Sequence, residues 1–157
     1  AENVQRLSVA TEYINALKRM NASGESFPTY LPSQGNHSVC LGKVGVTCWE
    51  DDPGSVYNAA VQKQFDRHIQ GMSKIKPVTK SNGYKRGGIL YSYPATRHPD
   101  WIHHSKLFGM NPEKTAFFDF MMDGANADCD KLSNSSSEVN YDDGRLTYCR
   151  IYVENTN

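Results

Sequence analysis

Ala1 to Ala22, AENVQRLSVATEYINALKRMNA, is the stretch whose reading decides the fold. Apolar side chains recur at Val4, Leu7, Ala10, Ile14, Leu17 and Met20, in steps of three or four that set a stripe along a helix. Glu2, Gln5, Arg6, Ser8, Glu12, Asn15, Lys18 and Arg19 fall between them as a solvated face. An acid at the start and bases at the end suit the helix dipole. Gly24 supplies the left-handed residue that commonly follows a helix end. The rod is roughly 33 Å long at 1.5 Å per residue. A compact chain of this length is about 40 Å across, so the rest of the chain is expected to cover the stripe of this one helix. No Ser, Thr or Pro start signal precedes Val4. A helix beginning without a cap is expected to be the lower part of a longer one.

Outward from that helix, the 157 residues suit one domain. Seventeen basic and seventeen acidic residues cancel, without the basic stripe of a nucleic-acid binder. A mean hydropathy of -0.62 and abundant Asn, Ser, Gly and Asp predict a loop-rich, well-solvated surface. Cys40, Cys48, Cys129 and Cys149 form no Cys-x-x-Cys pair, which argues against zinc-ribbon and thioredoxin-like chemistry. Four cysteines allow three pairings. The expectation is 40–48 with 129–149 because each closes a local loop, in an oxidising compartment. Loop-closure entropy gives these about 2.5 and 3.5 kcal/mol.

The segment Phe27-Pro28-Thr29-Tyr30-Leu31-Pro32 reads as an extended crossing with aromatic lids over the helix end. Residues 33–48 read as a stapled loop with at most a short strand. Asp51 to Ser55 reads as a turn and helix start, followed by Tyr57, Val61, Phe65, His68 and Met72 at helical spacing to about Gln70. Ser73 to Gly83 is expected to be a loop. Strands are expected at Ile89–Tyr93, Ala116–Met122 and Leu146–Val153. In the second, Ala116, Phe118, Phe120 and Met122 form the apolar side and Asp119 faces out. Residues 94–114, with three prolines, read as an irregular excursion, and 123–144 as a polar loop. Helix first and strands in a row predict an α+β fold, the long N-terminal helix laid on an antiparallel sheet of three to four strands. The regions are 1–22, the spine helix; 23–83, a connecting loop with a short second helix; and 84–157, the sheet and C-terminal loop.

Two clusters invite a chemical reading. His98, Asp100, His103 and His104 could serve a secreted metal-dependent hydrolase, although the spacing matches no helical two-histidine zinc motif, and adjacent His103 and His104 are expected on different sides. Asn126, Asp128 and Asp130 place oxygen ligands at alternate positions, as a calcium loop does. Lys131 and Ser137 stand where an EF-hand needs Gly and Glu. A looser calcium loop would add Asp123 or the Asp142–Asp143 pair. Asn21, Asn36 and Asn134 each fit Asn-x-Ser/Thr. No phosphate loop, nucleophile elbow or spaced acid pair is present, and the residues imply no cofactor.

The order of parts resembles a type IV pilin without its hydrophobic half-helix. Tyr13-Ile14-Asn15-Ala16-Leu17 through Phe27-Pro28 resembles the family's passage from helix to aromatic-proline turn. Val39-Cys40-Leu41-Gly42 with Cys48-Trp49 resembles a loop of pilin-like proteins from small-genome epibiotic bacteria. Phe120 to Cys129, with Tyr148-Cys149-Arg150, resembles their closing strands and disulfide loop. The Gly-Phe-Thr-Leu-Ile-Glu cleavage segment is not in this sequence, and residues 53–115 carry none of the resemblance. The resemblance implies a non-enzymatic filament subunit, used for adhesion to a host or neighbouring cell and for twitching motility. It implies head-to-tail subunit contacts through the N-terminal helix, an inner-membrane anchor before assembly and an extracellular, cell-surface location. Assembly and retraction would be driven by cytoplasmic ATPases, this subunit binding no nucleotide. Near-zero net charge argues against DNA as a partner. A minor pilin or a type II secretion pseudopilin, the latter favoured by bound calcium, are alternatives within the class. A secreted hydrolase and a stand-alone binding domain are alternatives outside it.

Overall fold

In the computed structural model, residues 2–31, 38–42, 47–69, 75–129 and 140–157 are described, with backbone alone at 140–143. Helix α1 runs from Glu2–Ala22. It ends as its sequence predicts: Gly24 takes φ +77 and the Glu25 N–H closes on the Met20 carbonyl at 2.9 Å. Tyr13, Ile14, Ala16, Leu17 and Met20 are each at most 1% exposed.

The stripe is corrected at its start, for Val4 is 68% exposed. Three residues advance a helix by about 300°, some 60° short of a turn. Val4, Leu7 and Ala10 therefore drift around the axis instead of holding one line. Leu7 ends half-buried, and Arg6 takes the inward position.

Among the described residues six strands form one sheet, in the order β2, β1, β5, β6, β8, β7. These are β1 (Val39–Leu41), β2 (Val56–Tyr57), β5 (Ile89–Ser92), β6 (Thr115–Asp123), β7 (Asn140–Asp143) and β8 (Leu146–Glu154). The fold is α+β as expected, but the sheet is larger than three or four strands and is mixed, because β2 runs parallel to β1. The remaining pairings within it are antiparallel. Its centre is the β6–β8 ladder, paired from Thr115 with Glu154 to Asp123 with Leu146.

A separate hairpin joins β3 (Val78–Thr79) to β4 (Lys85–Arg86), inside and just beyond the span expected as loop. The second helix, α2, is Ala59–Asp66. It starts later than expected because the Ser55 hydroxyl donates to Asp52, at 2.8 Å, leaving Asn58 to cap. Asn58 Oδ1 accepts the N–H groups of Ala60 and Val61 at 3.0 and 3.1 Å. Tyr57, expected in the helix, belongs to β2. Gln70 and Met72 lie outside the described residues.

The inner sheet face and α1 enclose the main core. Tyr13 meets Phe65 edge-on at 5.4 Å between ring centroids, and Phe65 meets Tyr91 at 5.0 Å. Phe27 and Tyr30 close its end, with the Tyr91 hydroxyl donating to the Pro28 carbonyl at 2.7 Å.

The outer face is covered too, which overturns two expectations. Residues 94–114 contain helix α3, Pro99–Leu107, between two short 3-10 turns. Its Trp101 packs on Phe117 at 4.7 Å and the following Phe108 on Tyr152 at 5.5 Å. Asp119, expected in solvent, is 3% exposed. It faces Arg150, whose Nε donates to Asp119 Oδ1 at 2.7 Å.

Candidate functional site

The histidine segment folds as α3 and its cap. His98 is the N-cap, its Nδ1 accepting the Asp100 N–H at 3.1 Å, with Pro99 in the first turn where no N–H is missed. His104 turns toward the sheet, its Nδ1 3.1 Å from the Tyr152 hydroxyl. Burial lowers the His104 pKa, and the nearby Arg150 charge lowers it further. His103 and Asp100 are exposed. His98 Nδ1 also lies 3.8 Å from Asp100 Oδ2, whereas His104 is engaged with Tyr152 instead. Among the described residues, no group of three or more His, Cys, Asp or Glu side chains is placed to hold a metal ion.

The proposed oxygen-ligand loop follows β6. Gly124 takes φ +95, and the Thr147 hydroxyl donates to the Gly124 carbonyl at 2.6 Å while accepting the Ala127 N–H at 2.9 Å. Asn126 adopts φ 60, a left-handed conformation that Asn tolerates well. Asn126 and Asp128 are exposed. Asp123, a further candidate, gives Oδ2 to Arg6 at 3.0 Å. Asp130, Asn36, Asn134 and the side chains of Asp142 and Asp143 lie outside the described residues. Asn21, in the remaining sugar-acceptor motif, receives the Thr156 N–H on Oδ1 at 2.8 Å.

Helix α1 presents two features that its periodicity hides. Arg6 is fully buried, and its guanidinium donates to the Lys76 carbonyl at 3.0 Å, the Pro77 carbonyl at 3.3 Å and Asn3 Oδ1 at 2.9 Å, besides Asp123. Asn3 also exchanges two bonds with the Asp123 backbone, at 2.7 and 2.9 Å. The first turn of α1 is thereby latched to the end of β6. On the opposite side, Val4, Ser8, Asn15, Lys18 and Ala22 are exposed, a face of small and polar residues with one apolar end.

Both disulfides close locally, Cys40 with Cys48 and Cys129 with Cys149, and no free cysteine remains as a nucleophile. On the outer face, cations and rings alternate. Arg86 lies 4.2 Å over Trp49, and Arg150 lies 4.7 Å over Phe117 and 5.5 Å from Tyr148. Asp51 accepts from Arg86 at 2.9 and 2.8 Å and from Lys80 at 2.7 Å. Burial would raise the Asp51 pKa, but these donors outweigh it and hold the carboxyl down at about 2.

Neither the latch nor the outer-face stacking of cations on rings was legible in sequence, since their members are up to 120 residues apart. The unusual Arg at an inward helical phase was the one available signal. No described helix is long and apolar enough to cross a membrane. The chain matches no family model, no curated protein and no solved structure.

Proposed function

We propose that the chain is the globular part of a type IV pilin-like subunit, a structural component of an extracellular filament. The observation that carries the reading is the two-sided α1. One side is fastened to the sheet through Tyr13, Ile14, Leu17 and Met20, and the other, from Val4 to Ala22, is left to solvent. The Cys129–Cys149 bridge, tying the loop after β6 to β8, supports the same reading. The six-stranded mixed sheet is larger than the resemblance implied, and the additions sit at its edges and outer face.

In this reading the upper half of the spine precedes α1 and anchors the subunit in the inner membrane before assembly. Head-to-tail contacts with further copies then build an open fibre, because a heterologous contact that does not close into a ring propagates. The loops carried outward by the sheet contact host or neighbouring surfaces. The subunit is a passive element, and other proteins supply the work of extension and retraction.

The reading of the coding region upstream of Ala1 tests this. A prepilin-type cleavage site followed by about twenty apolar residues is expected, enough for a membrane span. An ordinary secretion leader joined directly to α1 would overturn the proposal.

A further inference from the structure

The two disulfides differ in what lies beside them. Cys129 and Cys149 are both 0% exposed and belong to the main core under α1. Cys40, 0% exposed, and Cys48, 5% exposed, belong to a second, smaller core cluster, and Cys48 also lines an open cavity of about 460 Å³. Thr47, Glu50, Ile75, Lys85 and Gly87 share its wall. That volume lies within the range of about 300–1,000 Å³ typical of small-molecule sites. Lys76 and Lys85 on the wall are opposed by Glu50, and Lys76 already faces Glu2 at 3.3 Å. Selectivity here rests on access, with no excess charge to assist it.

We propose that Cys40–Cys48 is the thiol-exchangeable bridge of the molecule, and that Cys48 is the sulfur attacked, by a small-molecule thiol entering this cavity. The thiol loses its proton to solvent and its thiolate forms a bond to Cys48 Sγ. The Cys40–Cys48 bond breaks, and its electron pair leaves on Cys40, which takes up a proton. One disulfide is lost and one mixed disulfide gained, with no net oxidation. The adduct occupies the cavity, and Cys48 is untethered from β1. The neighbouring bridges from Thr47 to Val56 and from Trp49 to Arg86 remain to hold the run in place. This inference does not depend on the filament reading.

The test treats the native chain with excess reduced glutathione at about pH 8, where thiolate is abundant, then acid-quenches and maps adducts by peptide mass spectrometry. Glutathione is expected on Cys48, with Cys40 free, about ten-fold faster than any opening of Cys129–Cys149, as access dictates. A Thr47→Trp substitution on the cavity wall is expected to slow the adduct while leaving the rate at Cys129–Cys149 unchanged. First adducts on Cys40, Cys129 or Cys149 would overturn the assignment. So would opening of both bridges together, no opening without denaturant, or a Thr47→Trp rate equal to that of the parent.

Discussion

Asp119 and Arg150 face each other on a sheet surface that sequence alternation assigns to solvent. Their side chains are 5% and 12% exposed, so each charge, largely out of water, is offset by the other. Removing one partner strands the other, and Asp119→Ala or Arg150→Ala is expected to lower stability by about 3–5 kcal/mol. Replacing the pair together by Leu and Met should cost much less, a difference that urea unfolding of the three variants will read. Asp51 makes a pH-dependent contribution. Its folded pKa of about 2 lies below the ordinary value of about 3.9. The stability it adds is therefore complete above about pH 4 and lost as pH falls toward 2. Asp51→Asn should flatten the acid limb of a plot of thermal midpoint against pH between those values. The residues on either side of Asp119 were read correctly as apolar, but nothing local announces that Arg150, thirty-one positions on, lies opposite.

At the scale of elements, α1, β5, β6 and β8 were legible because each carries its own period and its own punctuation. Gly87-Gly88 opens β5 and Pro94 follows it, while Asp123-Gly124 ends β6. Helix α3 was not legible, because three prolines in residues 94–114 outweighed a short apolar spacing. Pro99 proves to be a helix-starting proline, and His98 supplies the capping acceptor in place of the usual Ser, Thr, Asp or Asn. His98→Ala should therefore cost about 0.5–2 kcal/mol and His98→Asn should restore most of it. A loss of stability equal in both variants, by thermal unfolding, would contradict the capping role. The short β7 and β2 escaped detection for a different reason. Strands of two to four residues owe their existence to the ladder beside them more than to their own side chains.

For the whole molecule, the organising feature is a helix with one side fastened and one side open. The two sides predict opposite responses. Leu17→Ala, in the fully buried face, should cost about 2–5 kcal/mol of stability. Val4→Asp, at 68% exposure, should change stability by at most about 0.5 kcal/mol and yet block incorporation into a filament. The candidate functional face was thus half legible. Periodicity located the helix, but the drift of three-residue steps concealed which side is open at its beginning. Cryo-electron microscopy of appendages sheared from cells expressing the full-length gene bears most directly on the central claim. The account predicts filaments built from this chain, with α1 inside the shaft and Val4 buried at a subunit contact. Appendages lacking the chain, or a shaft with α1 facing solvent, would contradict it.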